Sequence, residues 1–149
     1  METEKDYEEF LSLLNKHKVR YCIIGAFALA FHARPRYTED IDILVEASTD
    51  NAKKILKVLD EFGFGSLNPT VEDLTAEGNI IQLGYEPVRI DIMTPIKGLD
   101  FSEVWRKHVT GPFGQQTVNY IDRQNLIKLK EISDRIQDKA DLELLITEK

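Results

Sequence analysis

The chain has 149 residues, 42% of them hydrophobic and 30% charged, with a formal net charge of −7. That length suits one ordinary domain with a core of its own. The negative balance argues against non-specific binding to nucleic acid, which needs a basic surface to release counterions, but leaves room for a local basic patch. No run is apolar for long enough to span a bilayer. The polar opening from Glu2 to Asp6 carries no signal-peptide pattern. The single cysteine, Cys22, excludes an intramolecular disulfide and fits a reducing compartment, so a cytoplasmic location without membrane contact is expected.

Residues Tyr7 to Lys18 read as an amphipathic helix with Phe10, Leu11, Leu13 and Leu14 on its apolar side. Val19 to Ile24 is a short β-rich run, too apolar for an edge and so read as a buried strand. Gly25 breaks it, and Ala26 to His32 has the composition of a short helix. Arg34 to Thr38 is a loop around Pro35. Ile41 to Val45 is the next strand. Ser48-Thr49-Asp50 offers N-cap chemistry for a helix through about Phe62, closed by Gly63 and Gly65. Asn68 to Gly78 reads as a loop or a short irregular helix. Ile80 to Gly84 and Val88 to Met93 form a hairpin.

Phe101 to His108 is a short helix that Phe101 and Trp105, four apart, would anchor. Gly111-Pro112-Phe113-Gly114 reads as a turn and Gln116 to Tyr120 as a strand. Asp122 to Ile132 and Asp138 to Ile146 are amphipathic helices. The pattern is α/β (α+β): a small mixed sheet flanked by helices, with C-terminal helices. It is expected to form a single domain over residues 1–149, with a core of about 19–120 and a helical part of about 122–147. Neither a repeat nor a linker composition interrupts it.

The chemistry concentrates in two strands. In Asp40-Ile41-Asp42 the two carboxylates are two residues apart, so on a strand they project from one face while Ile41 turns to the other. Carboxylates that close repel unless a cation lies between them. Oxygen ligands of this kind suit Mg²⁺. Asp91 repeats the pattern among the β-branched residues of Arg89-Ile90-Asp91-Ile92-Met93. Should its strand lie beside the first, three carboxylates meet, enough to hold one or two metal ions against a phosphate. The alternative is a solvent-facing strand in which Ile and Asp alternate without function. Arg89, on the same strand face as Asp91, is placed either to pair with a carboxylate or to contact substrate. His17, His32 and His108 have no partner at metal-ligand or catalytic spacing. Cys22 reads as plain core.

Tyr21 to Ala30, followed by Arg36-Tyr37-Thr38-Glu39-Asp40-Ile41-Asp42, resembles the nucleotidyltransferase superfamily that includes DNA polymerase β. In that superfamily a strand ends in Gly-Ser or Gly-Gly, a helix follows, and an Asp-x-Asp strand comes next. The small bacterial and archaeal branches look most similar: antibiotic nucleotidyltransferases and toxin-type enzymes of toxin–antitoxin pairs. Asn125-Leu126-Ile127-Lys128-Leu129-Lys130, then Arg135, Asp138 and Asp141-Leu142, is similar to a C-terminal motif of the toxin-type branch. The resemblance runs from about Val19 to Leu145 and implies the nucleotidyltransferase fold.

The resemblance also implies an activity: a metal-dependent transfer of a nucleoside monophosphate from an NTP such as ATP to an acceptor hydroxyl or phosphate, with release of pyrophosphate. Asp40 and Asp42 would bind the metal that bridges the phosphates. Asp91 would bind the catalytic metal and help deprotonate the acceptor. The metal would be Mg²⁺ or Mn²⁺. Gly25 and the N-terminus of the Ala26 helix would meet a phosphate. Lys130 would reach the triphosphate as a point charge, and Arg36 and Thr38 would contact phosphate or hold their loop. Lys128 diverges from Lys130 on a helix; the bland reading leaves both in solvent.

One position departs from the pattern. Ala26 stands where serine or glycine is usual, which removes a hydroxyl but keeps the backbone N–H and is expected to weaken nucleotide binding. Two rivals follow: a catalytically silent relative that binds nucleotide or a partner, and a toxin held by an antitoxin-like protein. Arg135, Asp138 and Asp141 would contact ligand or form an ion-pair network between the last helices. The short tail also suggests that a second subunit, in a homodimer or hetero-complex, supplies a wall of the cleft.

Overall fold

The computed structural model describes residues 2–33, 40–64, 69–85, 88–132, 143 and 145–146, with the side chains of 2–4 and 85 left aside. Helix α1 (Glu2–Lys16) leads to strand β1 (Tyr21–Ile24), helix α2 (Gly25–His32) and strand β2 (Asp40–Val45). Helices α3 (Thr49–Phe62) and α4 (Val71–Thr75) precede the hairpin β3 (Ile80–Tyr85) and β4 (Val88–Met93). Helix α5 (Phe101–Lys107), strands β5 (Val109–Phe113) and β6 (Gln116–Tyr120) and helix α6 (Arg123–Ile132) complete the order.

The six strands form one mixed sheet in the order β3-β4-β2-β1-β6-β5. β1 runs antiparallel to β2 and parallel to β6, and β2 runs parallel to β4. The run at Val19 to Ile24 thus supplies an interior strand, Tyr21–Ile24, whose four residues are all buried. Side chains alternate across the sheet. Tyr21, Ile23, Ile41, Ile43, Ile90 and Ile92 are all buried on one face. Helices α1 and α3 pack together there. The Tyr21 hydroxyl donates to Asn15 Oδ1 of α1 (2.8 Å), and Phe10 meets Phe62 edge-on. The apolar stripe of α1 is Tyr7, Phe10, Leu11 and Leu14, at helical spacing.

Local chemistry explains the ends of the elements. Ser48 Oγ accepts from the Asn51 N–H at the start of α3, and Gly63 ends it in the left-handed conformation. The stretch from Asn68 to Gly78 contains α4, stabilised by a reciprocal capping box between Thr70 and Asp73. Buried Asn51 accepts from the Arg20 N–H (2.8 Å) and donates to the carbonyls of Arg20 (3.1 Å) and Glu46 (2.9 Å). One amide therefore ties the first turn of α3 to the ends of β1 and β2.

One element differs from expectation. Gly111-Pro112-Phe113 is not a turn but the second half of β5, and the turn lies at Gly114–Gln115. β5 is an edge strand, where proline's missing donor costs no ladder bond if it faces outward. Gly111 is required by packing: a Cβ there would press into the Phe31 ring, which stacks on Tyr120 at 4.2 Å. The loop at Arg34 to Thr38, Gly65 and most of the helix expected at Asp138 to Ile146 lie outside the described residues. No helix among the described residues is long and apolar enough to cross a membrane.

Ile41 anchors the acidic strand from beneath and is fully buried. Ile41→Ala is expected to cost about 2–5 kcal/mol and Ile41→Val about 1 kcal/mol, measured by urea denaturation.

Candidate functional site

The register of β2 and β4 brings the carboxylates together. Asp42 is the Cα partner of Asp91, and Asp40 is the partner of Arg89, in a parallel pair. All four residues therefore project from the face opposite Ile41. Like charges directly opposite one another destabilise a sheet. Asp91 is buried, which raises the cost of its charge.

The structure supplies an internal counter-charge. Arg89 grips both oxygens of Asp91, Nε to Oδ1 at 3.2 Å and Nη2 to Oδ2 at 3.0 Å. Its Nη1 lies 3.7 Å from Asp40 Oδ2. This planar two-point contact is the strongest form of arginine–carboxylate pairing. Of the two roles open to Arg89 from the sequence, pairing with carboxylates is the one observed.

Tyr7 supports the same region from α1. Its hydroxyl donates to the Arg89 carbonyl (3.1 Å) and accepts from the Arg89 N–H (3.3 Å). Burial raises the Tyr7 pKa above its ordinary value; the backbone contact opposes this, and the charges of Asp40, Asp42 and Asp91 add to the rise. A single hydroxyl thus senses all three carboxylates. Tyr7 was not among the residues singled out from sequence, although its spacing from Phe10, Leu11 and Leu14 places it on the buried stripe. Gln82, the cross-strand partner of Asp91 on β3, was also not singled out.

Gly25 connects the acids to α2. It opens the helix at φ +70°, and a Cβ there would collide with Asp42 Oδ2 and stand 3.1 Å from Asp42 Cγ. Only a residue without a side chain allows Asp42 to lie this close. Ile24, at the N-cap, makes no side-chain cap hydrogen bond to α2. Ala26 is buried in the first turn.

Lys130 is buried on α6 whereas Lys128 is exposed, so the reading of both as solvated surface residues fails for Lys130. Asp122 caps α6 by accepting from the Asn125 N–H (3.2 Å). His32 ends α2 and contacts the Ile121 carbonyl (2.6 Å). Cys22 is plain core, its thiol pushed up to about 12, chiefly by burial. Arg36 and Thr38, together with Arg135, Asp138 and Asp141, lie outside the described residues.

Three carboxylates on adjacent strands form a donor set suited to a hard divalent cation. As arranged, no three acidic, histidine or cysteine side chains among the described residues converge into a ready-made metal cage, and Arg89 holds both oxygens of Asp91. Next to the acids, a cavity of about 70 Å³ is lined by Ile24, Leu44, Met93 and Leu129 among others. Leu44 and Met93 lie two residues beyond Asp42 and Asp91, on the same face of the sheet.

No protein-family model and no curated protein matches the chain. Solved structures do. The crystal structure of ANT(2")-Ia in complex with adenylyl-2"-tobramycin matches over 99% of this chain and 89% of its own, with a TM-score of 0.63 at 10% identity. The lincosamide antibiotic adenylyltransferase LnuA, with lincomycin bound, matches over 97% of each chain, with a TM-score of 0.59 at 16% identity. A Thermotoga maritima protein assigned to the nucleotidyltransferases matches over 96% of this chain and 91% of its own, with a TM-score of 0.61 at 13% identity. The chain has the nucleotidyltransferase fold.

Two substitutions test how the site is held. Tyr7→Phe removes two hydrogen bonds to the Arg89 backbone and is expected to cost about 1–3 kcal/mol in chemical denaturation. Gly25→Ala adds both backbone strain and the collision with Asp42. A loss of about 1–3 kcal/mol is expected, and unchanged stability would mean that the close approach of Asp42 is not maintained in solution.

Proposed function

We propose that the chain is a metal-dependent nucleotidyltransferase, acting as one unit over its whole length. It transfers a nucleoside monophosphate from an NTP to an acceptor and releases pyrophosphate. The carrying observation is the pairing of Asp42 with Asp91, with Asp40 two residues away on the same strand face. The fold supports this reading, as does the close approach of Gly25, at the start of α2, to Asp42.

In this reading Asp40, Asp42 and Asp91 hold the metal, and a bound Mg²⁺ or Mn²⁺ neutralises charge on the phosphates. The first N–H groups of α2 receive a phosphate, with Gly25 and Ala26 contributing backbone rather than side chain. Lys130, Arg36 and Thr38 add contacts to the triphosphate. The acceptor oxygen attacks the α-phosphorus, the bond from that phosphorus to the bridging oxygen breaks, and pyrophosphate leaves. Asp91 takes the acceptor's proton.

Two of the structural neighbours hold antibiotics, one as the adenylyl product. A hydroxyl on a small molecule is therefore the acceptor class to test first. RNA ranks behind it, because a net charge of −7 opposes its approach. The apolar cavity beside Leu44 and Met93 suits a nonpolar part of either substrate.

Calorimetric titration of ATP and GTP, with and without Mg²⁺, tests the reading. Wild type is expected to bind a nucleotide only with Mg²⁺, and the double variant Asp40→Asn, Asp42→Asn to bind none. Asp91→Asn is expected to slow transfer from labelled NTP at least roughly a hundredfold, because one carboxylate of such a site supplies several kcal/mol. Absence of nucleotide binding to wild type in both conditions would overturn the proposal.

A further inference from the structure

The ion pair between Arg89 and the acids bears on how a metal enters. A carboxylate gripped from both oxygens by a guanidinium presents its inner lone pairs to the arginine. A divalent cation held by these acids would draw on the same two Asp91 oxygens. Arg89 and a divalent cation therefore compete for the same oxygens, and both serve one physical need, the screening of three close negative charges.

The surroundings allow the exchange. The Arg89 backbone is fixed by Tyr7 and by its position between β3 and β2. The side chain, in contrast, is 31% exposed, while that of Asp91 is 6% exposed. The carboxylate cannot follow the arginine outward without unmaking the strand, but the guanidinium can rotate toward solvent.

We propose that Arg89 is a displaceable internal cation: it neutralises Asp91 and Asp40 in the metal-free protein and leaves Asp91 when a divalent cation binds. This inference rests on the proposed metal-assisted reading. Arg89 is thus a positioning residue. It keeps the carboxylates gathered before the metal arrives, and it lowers the affinity of the free protein for metal.

The test uses EDTA-treated full-length protein titrated with Mn²⁺ alone, followed by calorimetry and by the electron paramagnetic resonance of free Mn²⁺. Arg89→Gln keeps a polar side chain but removes the charge. It is expected to bind Mn²⁺ roughly tenfold more tightly than wild type, and to melt at a lower temperature in EDTA. Equal or weaker Mn²⁺ binding in Arg89→Gln, with wild type still binding, overturns the competition and leaves the metal reading intact. Absence of binding to both proteins overturns the inference and the metal site together.

A second measurement on wild type needs no variant to fold. The Arg89 Nε–H resonance is expected to lose its hydrogen-bonded shift and exchange protection as Mg²⁺ saturates the protein. Its persistence at saturation overturns the proposal.

Discussion

The structure is organised around one electrostatic constraint. Two parallel strands are in a register that sets Asp42 against Asp91, with Asp40 two pairs further along on the same face. A sheet ordinarily avoids like charges in that position, because each cross-strand pair of equal sign opposes the ladder that holds it. The hydrophobic face beneath sets the register. Ile41, Ile43, Ile90 and Ile92 are buried there, and a slip of one residue would send them into solvent and the aspartates into the core. Burial of those side chains, each worth about 1.5–3 kcal/mol, opposes the repulsion, and Arg89 supplies it with a counter-charge.

The other elements each contribute to that arrangement. α1 covers the apolar face and sends the Tyr7 hydroxyl to the strand that carries Arg89 and Asp91. α2 begins at a glycine because Asp42 occupies the space where a side chain would stand. Asn51 secures the ends of β1 and β2 from the far side of the sheet. Sequence, strand pairing and helix packing agree on one geometry, which is the signature of a consistently specified fold.

Much of this was legible in the sequence, for identifiable reasons. The strands at Val19 to Ile24, Ile41 to Val45 and Val88 to Met93 were evident from their β-branched content, and the Asp-x-Asp spacing alone placed Asp40 and Asp42 on one face. The meeting of Asp91 with Asp42 was only conditional, because strand pairing is a long-range property that spacing does not encode. Gly111-Pro112-Phe113 misled because Pro and Gly mark turns locally, while an edge strand tolerates both when the partner strand and Phe31 fit around them. Arg89 stayed undecided because its partner on β2, Asp40, is 49 residues away in the chain, and Tyr7 escaped notice because a hydroxyl that bonds backbone leaves no motif.

The hydroxyl of Tyr7 holds main-chain atoms of residue 89, not its side chain. The arginine is therefore a swing arm on a clamped pivot. Swinging it away from Asp91, as proposed, would change only side-chain torsions, which move within picoseconds to nanoseconds once the ion pair opens. The proposed exchange of one cation for another would then require no shift of a strand or helix. The cost of metal entry, on that proposal, would be electrostatic and local, and would vary with the ionic strength of the solution rather than with the flexibility of the fold.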